Sequence, residues 1–335
     1  MTLAYITVYS KVRWQQKQFI PAFKARLRQL NQNWDESPVQ VQAYFLLIIT
    51  TLLWGGNLTV GKLAVGHISP MMLNMCRWGL AAVAVTIVSM PQIRKDWPVI
   101  KKHWPLFLGY GAIGFASFNA FLYAGLQFTT GINAAIDQTG IPLLIFILNF
   151  VLFRVHASLA QVIGFAITLV GVVIAVSHGA PLRILQLDIN FGDFLVMMAV
   201  LCYSAYTVSL RWKPKLDWRP MMMACCFGAF LAAIPMAAGE ALSGHMILPT
   251  DFTGFGAILY TALFPSLISQ ALFMRGVELI GPNRAGLFIN LIPVFGTILA
   301  VLFLNERLEA FHGIALGLAI VGIAIAERGK PRQPA

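Results

Sequence analysis

Ten apolar segments, separated by short polar stretches, constrain this chain more than any other feature of its 335 residues. A helix needs about 20 apolar residues to cross a bilayer, and within lipid only helices and closed barrels satisfy every backbone hydrogen-bonding group. Barrel strands would be short and would alternate in polarity, so we predict an all-α integral membrane fold of ten transmembrane helices. The predicted helices cover residues 43–64, 70–90, 105–126, 131–153, 158–177, 191–210, 220–242, 253–275, 284–304 and 311–327.

The positions of the basic residues predict the orientation of the chain. Cytoplasmic loops carry an excess of Lys and Arg, and a cytoplasmic N-terminus puts most of the 24 Lys and Arg residues on that side. Lys62, Arg183 and Arg307 fall outside, and Arg77 falls within a span. We therefore expect a multi-pass protein of the bacterial cytoplasmic (inner) membrane with both termini cytoplasmic. The formal net charge of +11 then needs no nucleic acid partner.

The chain contains an internal repeat. A shift of 151 residues superposes residues 125–175 on 276–326 without a gap and pairs Pro142 with Pro293. Because each half would hold five helices, an odd number, the second half enters the membrane from the opposite side, which gives the inverted-topology repeat of many secondary transporters. We predict a basic cytoplasmic tail at 1–42, a first five-helix repeat at 43–177, a second at 191–327 and a cytoplasmic tail at 328–335.

Four motifs carry a resemblance to a known family. They are "LLWGGNLTVGKLA" from Leu52, "ISPMMLNMCRWGLAAVAV" from Ile68, "GVELIGPNRAGLFINLIPVFGTILAVLFLNERL" from Gly276 and "GIALGLAIVGIAIAE" from Gly313. Together they resemble the ten-helix EamA-type branch of the drug/metabolite transporter superfamily. The resemblance implies a carrier of small molecules, often an exporter of amino acids, related metabolites or drugs. The first half departs from the pattern, because "FRVHASLAQ" from Phe153 replaces a Glu-Arg-Leu type turn.

Arg77 is the residue that a membrane span explains least. It lies about seven residues from the outer end of its predicted helix, roughly 10 Å deep at about 1.5 Å per residue. An arginine near a helix centre costs about 2.5–3.5 kcal/mol on insertion scales, so it should face the bundle or water and have a partner. Asp137, predicted at nearly the same depth, is the candidate partner.

Two interpretations of Arg77 and Asp137 stay open. In the first, Arg77 binds a substrate carboxylate and Asp137 receives an ammonium or hydroxyl group; a coupling proton on Asp137 is a further hypothesis. In the second, the two residues form a structural ion pair and nearby asparagines hold the helices together.

Two prolines at equivalent positions give a second indication of a binding site. Pro142 and Pro293 lack the N–H that would bond the carbonyl four residues back, which would free the carbonyls of Gln138 and Ile289. Helices interrupted at equivalent positions of two halves indicate a transporter binding site. The alternative is a simple kink that shapes packing.

Polar and aromatic side chains within the predicted spans complete the candidate site. In the first half they lie in the outer part of the membrane, near Arg77, and in the second half they lie toward the inner side. This arrangement would suit an amphipathic solute that crosses between the two levels. The candidate substrate-binding residues are Trp54, Asn57, Asn74, Arg77, Trp78, Asn119, Tyr123, Asp137, Gln138, Tyr203, Tyr206, Gln270 and Asn290.

No catalytic constellation, cofactor motif or metal site emerges from the sequence. "GYGAIG" at 109–114 matches a dinucleotide-binding pattern but lies within a span, so we expect close helix packing there. We predict a secondary transporter, not an enzyme, that exports a small organic solute by alternating access, with amino acids or their derivatives as the leading class. We expect membrane lipid around it and a monomer able to function. The alternatives are a passive channel-like facilitator and an intramembrane enzyme.

Overall fold

The computed structural model describes residues 38–154, 158–177, 179, 190–280, 285 and 288–328. Within these ranges the chain forms helices and turns, and no β-strand. The predicted tails at 1–42 and 328–335 lie outside the described residues, apart from 38–42 and residue 328.

The helices are long and apolar. In chain order they are α1 (Pro38–Leu63), α2 (Pro70–Lys102), α3 (Trp104–Gly125), α4 (Gly131–Phe153), α5 (Leu159–Val176), α6 (Phe191–Trp212), α7 (Trp218–Leu242), α8 (Phe252–Ile280), α9 (Ile289–Leu304) and α10 (Ala310–Arg328). In the part of the chain that is described, seven of them, α1–α4 and α6–α8, are long and apolar enough to cross a membrane. Helices α5, α9 and α10 are shorter and also apolar. The chain is a multi-pass membrane protein.

Helix α2 is longer than predicted. The sequence suggested an end at residue 90, before Pro91, but the helix continues to Lys102 and contains two prolines. Tertiary packing supports the extension, because Ile93 and Ile100 are buried in one apolar cluster with Phe107. Lys102 and its neighbour add basic charge to the last turn, where the helix dipole favours it.

The helices pack in a regular set of pairs. Helix α1 contacts α8 and α9, and α6 contacts α3 and α4. Helix α2 packs against α7 and α8, α7 also packs against α3, and the pair α5–α10 lies at the side of the bundle. These particular pairs map onto one another, or onto themselves, when α1–α5 are exchanged with α6–α10.

Two helices contain a stretch of wider, π-helical turns. In α3 this stretch is Tyr110–Ser117, and in α8 it is Phe264–Ile268. The repeat shift of 151 residues places the ends of the two stretches, Ser117 and Ile268, at equivalent positions. Such π-turns occur frequently at functional sites.

Helices α4 and α9 are interrupted at equivalent positions, as the prolines predicted. The predicted free carbonyls are wrong, however, because a tighter turn recaptures each of them. Before Pro142, the N–H of Ile141 donates to the carbonyl of Gln138 at 3.1 Å. In α9 the N–H of Ile292 donates to the carbonyl of Ile289 in the same way.

Two glycines of "GYGAIG" allow α3 to approach its neighbours closely, as predicted. A Cβ atom on Gly111 would lie 2.2 Å from the carbonyl oxygen of Cys225 on α7. A Cβ atom on Gly114 would lie 2.2 Å from the ring of Tyr206 on α6. Glycine is therefore required at both positions for α3 to bring its π-turn to the centre of the bundle.

Candidate functional site

A cavity of about 600 Å³ lies at the centre of the bundle. Its walls include the π-turns of α3 and α8, through Phe115 and Ser266, and the interrupted stretches of α4 and α9, through Thr139 and Asn290. The four helix interruptions thus meet at one cavity. Its size is within the range of about 300–1,000 Å³ that is typical of small-molecule sites.

Arg77 lies in the wall of this cavity and is held by side chains of three other helices. Its Nε donates to Ser266 Oγ at 3.0 Å. Its Nη1 donates to Asn57 Oδ1 at 2.7 Å, to Asn119 Oδ1 at 2.9 Å and to the hydroxyl of Tyr123. Within the described residues, Nη2 forms no hydrogen bond. Arg77 is 5% exposed, so the guanidinium is held through Nε and Nη1, and Nη2 is the nitrogen left without a hydrogen-bond partner among the described residues.

The π-turns orient two of the groups that hold Arg77. In α3, Asn119 Nδ2 donates to the carbonyl of Phe115 at 2.8 Å, which leaves its Oδ1 to accept from Arg77. In α8, the Ser266 hydroxyl donates to the carbonyl of Thr261 at 2.9 Å. Each π-turn therefore satisfies its own backbone and presents one oxygen to the guanidinium.

The predicted ion pair between Arg77 and Asp137 is wrong. Arg77 has other partners, and neither carboxylate oxygen of Asp137 forms a hydrogen bond with the described residues. Asp137 is fully buried at the end of the first segment of α4, Gly131–Asp137, all of whose residues are buried. It does not line the cavity, because the break turns α4 toward the cavity only from Gln138 onward. The prediction rested on depth counted along the helices, which does not determine direction around a helix.

The cavity wall contains most of the predicted site residues. These are Trp54, Asn57, Arg77, Trp78, Asn119, Gln138, Tyr203, Gln270 and Asn290. Of the others, Tyr123 lies behind Arg77, and Asn74 Nδ2 donates to the carbonyl of Ala116 at 2.9 Å. Tyr206 packs edge-on against Phe115 with ring centroids 5.4 Å apart. Asn74, Tyr123, Tyr206 and Asp137 are therefore not among the residues that line the cavity.

Aromatic rings form much of the remaining wall. Trp78 stacks on Phe115 at a centroid distance of 4.7 Å, and the guanidinium of Arg77 lies 4.8 Å from the centroid of Trp78. Trp54 donates its Nε1 to the carbonyl of Pro265 at 2.9 Å. The two indoles are thus held by a hydrogen bond and a cation–π contact, and both line the cavity.

The sequence interpretation missed the contribution of α5. Gln161 and Phe165 line the cavity on one face of this helix, four residues apart. An isolated amide at Gln161 in an otherwise apolar span was the signal that pointed to this position.

The cavity carries charge of one sign. Among the described residues that line it, Arg77 is the only Lys, Arg, His, Asp or Glu. The rest of its wall is amide, hydroxyl, aromatic and aliphatic. The site therefore favours a negatively charged group at Arg77 and an apolar body beyond it.

Charged side chains close the bundle on the side of the α1–α2, α3–α4 and α9–α10 connections. Glu306 accepts from the N–H of Gly131 at 2.7 Å and from that of Ile132 at 2.9 Å, so it caps α4. Lys62 Nζ donates to the carbonyls of Leu126 and Thr129, each at 2.6 Å.

A second carboxylate acts in the same way on α2. Glu240 of α7 accepts from the Ser69 hydroxyl at 2.5 Å and from the N–H of Met72 at 3.2 Å. We call the contacts of Lys62, Glu240 and Glu306 the closing contacts. The cavity extends away from them, since it reaches Met222 near the start of α7 and residue 326 near the end of α10.

An exposed pair lies beyond the closing contacts. Asp251 accepts from the N–H of Gly254 at 2.8 Å and caps α8, and its other oxygen lies 2.5 Å from His67 Nδ1. The Gly254 hydrogen bond and then the His67 contact lower the pKa of the Asp251 carboxyl below its ordinary value.

Comparison with known proteins gives consistent matches over nearly the whole described chain. The model of the EamA-like transporter family matches residues 41–177 and 190–327. The uncharacterized transporter YetK of Bacillus subtilis is 29% identical over 88% of this chain and 89% of its own. A probable amino-acid metabolite efflux pump of Escherichia coli is 24% identical over 84% of this chain and 93% of its own. One solved crystal structure shares the fold, with a TM-score of 0.57 and 18% sequence identity. The superposition covers 85% of this chain and 96% of the chain in that structure.

Proposed function

The chain belongs to the EamA-like transporter family, and from this premise we propose that it is a secondary transporter that exports a small organic solute by alternating access. One observation carries the proposal: a single buried arginine, whose Nη2 has no hydrogen-bond partner among the described residues, lines a central cavity that extends away from the closing contacts. Similar proteins are transporters by name, which argues against the alternative of an intramembrane enzyme. The efflux pump names make amino acids and their derivatives the first substrates to test.

The proposed architecture is ten membrane-spanning helices in two inverted repeats. The main helix pairs described above map onto one another after exchange of the two halves, as expected of a two-fold axis between them. The π-turns and the proline breaks also recur at equivalent positions. Helix α5 has 18 residues and α10 has 19, within the range of about 17–25 that spans a bilayer.

The proposed orientation puts the closing contacts outside and the open end of the cavity in the cytoplasm. The distribution of Lys and Arg supports this orientation, in which both termini lie on the cytoplasmic side of the cytoplasmic (inner) membrane. In this state the solute enters from the cytoplasm and its anionic group binds Arg77 Nη2. Breakage of the closing contacts, with closure of the cytoplasmic side, then releases it outside.

The function is tested by counterflow in proteoliposomes. Radiolabelled amino acids, N-acetylated amino acids and simple carboxylates are offered to vesicles preloaded with the unlabelled compound. We expect saturable, counterflow-capable uptake for at least one class. A flux that rises linearly with concentration, without counterflow, would instead establish the passive facilitator.

The role of Arg77 is tested with a pair of variants. Arg77→Gln loses a charge-assisted hydrogen bond of about 1.5–3 kcal/mol, which corresponds to about 10- to 150-fold weaker binding. Arg77→Lys keeps the charge and should lose less. If Arg77→Gln purifies monodisperse and binds the transported compound as tightly as the unmodified protein, Arg77 does not bind the substrate.

A further inference from the structure

We infer that the cavity selects organic monoanions that have an apolar body and no free ammonium group, such as N-acylated amino acids, over zwitterionic free amino acids. This inference rests on the proposed transport function and narrows its substrate class. It follows from three features of the cavity: its single charge, the way its oxygen atoms are used, and the way its aromatic faces are covered.

The single charge sets the preference for a monoanion. Arg77 is the one charged residue among the described residues of the wall, and its Nη2 is the donor left for a ligand. A carboxylate at Nη2 neutralises the cavity. A free amino acid brings an ammonium group on the carbon next to that carboxylate, and the ammonium group then lies close to a guanidinium of the same sign.

The oxygen atoms near Arg77 are already engaged. Asn57 Oδ1 accepts from Arg77 at 2.7 Å and from the Tyr123 hydroxyl at 2.9 Å. Asn119 Oδ1 and Ser266 Oγ each accept from Arg77 as well. An ammonium group would have to compete with the guanidinium for these atoms. A buried charge without a partner is strongly disfavoured, and the cavity offers no carboxylate to supply one.

The aromatic faces do not replace that missing carboxylate. A cation binds well over an open indole face, but Trp78 is covered by Arg77 at 4.8 Å and by Phe115 at 4.7 Å. Trp54 forms a tilted contact with Phe273 at 5.4 Å, and Tyr203 forms one with Phe118 at 5.3 Å. These aromatic side chains line the cavity with carbon, which suits a hydrocarbon body.

The volume of the cavity and its wall away from Arg77 define the apolar part of the substrate. The cavity of about 600 Å³ continues beyond the charged end to Phe165, Met222 and Ile145, which are apolar. A substrate with a carboxylate at one end and an aromatic or branched group at the other fills both regions. An uncharged acylamino group fits between them, because it can hydrogen-bond to amides such as Gln138 and Gln270 without adding charge.

The test compares four probes that share one ring. N-acetyl-L-phenylalanine and 3-phenylpropanoate are monoanions, L-phenylalanine is a zwitterion and L-phenylalaninamide lacks the carboxylate. Each competes for counterflow of labelled N-acetyl-L-phenylalanine in proteoliposomes. We expect the two monoanions to compete at least about tenfold better than L-phenylalanine, and the amide not to compete.

A charge-changing variant provides the internal control. Asn119→Asp is nearly isosteric and places a carboxylate beside Arg77. It should therefore weaken binding of N-acetyl-L-phenylalanine and strengthen competition by L-phenylalanine. Glu278→Gln alters a carboxylate in an exposed pair with Arg275 and should leave the order of the probes unchanged. Equal or better competition by L-phenylalanine in the unmodified protein overturns the inference but leaves the transport function intact. Linear flux without counterflow for every probe overturns both.

Discussion

The capping of α4 by Glu306 makes a quantitative prediction about the position of the transport equilibrium. Glu306 lies after α9 and accepts two backbone hydrogen bonds, at 2.7 and 2.9 Å, from the first residues of α4. The contact joins the two halves of the chain on the side that we propose to be outside. It must break when that side opens, so its loss destabilises the closed state alone.

The magnitude follows from the geometry of the cap. A hydrogen bond to a charged group contributes about 1.5–3 kcal/mol when it is well shielded. An anion at a helix N-terminus contributes about 0.3–1 kcal/mol when exposed and up to about 2 kcal/mol when partly buried. Glu306 is half-buried, so Glu306→Ala should cost the closed state about 2 kcal/mol. This shifts the equilibrium toward outward opening by about 30-fold.

The assay measures access to the cavity from outside. Thr139 lines the cavity and is buried, so Thr139→Cys, in a background in which alanine replaces the four native cysteines, reports outward opening. A membrane-impermeant maleimide is added to right-side-out vesicles. We expect labelling about 30-fold faster with Glu306→Ala, a smaller increase with Glu306→Gln, and no change with Glu278→Ala. Unchanged labelling with Glu306→Ala, in protein that retains counterflow, would refute the closing role of Glu306.

Two further predictions concern stability. Gly114→Ala would place a Cβ atom 2.2 Å from the Tyr206 ring. We expect the free energy of unfolding to fall by about 1–3 kcal/mol, with a lower melting temperature in detergent. A melting temperature equal to that of the unmodified protein would contradict this packing. The hydrogen bond from Gly254 and then the contact with His67 hold the pKa of the Asp251 carboxyl below its ordinary value of 3.8. The ionised carboxylate therefore stabilises the folded protein above pH 3.8, and this stabilisation is lost as pH falls through the lower folded-state pKa. Asp251→Asn keeps the cap and should reduce the acid sensitivity of the melting temperature; an unchanged pH profile would count against the contact.

The sequence was sufficient for the features that a membrane imposes on every residue of a span. Long apolar segments located the helices, and the cost of a cation in lipid identified Arg77 as a cavity residue. The repeat located the interruptions at Pro142 and Pro293, because equivalent residues impose the same backbone constraint on both halves.

Features that depend on direction around a helix could not be predicted in this way. Asp137 was predicted at the depth of a partner for Arg77, but it ends the buried first segment of α4 and does not line the cavity. The apparent end of α2 at Pro91 was overridden by burial of Ile93 and Ile100. The role of Glu306 required knowledge of which helix begins beside it, since the capped residue Gly131 lies 175 positions earlier in the chain.

The closing contacts also indicate which state the protein prefers at rest. Glu240 and Glu306, the two carboxylates that cap a helix of the other half among the described residues, both belong to the second half and cap helices of the first. Under the repeat, the position of Glu306 corresponds to Val155, within the stretch that departs from the Glu-Arg-Leu pattern. The opposite closure therefore cannot gain the equivalent charge-assisted cap. Among the described residues, such caps between the two halves occur only at the closure that we propose to be outside. We therefore expect the empty protein to rest with its cavity open to the cytoplasm, the state in which an exporter binds its substrate.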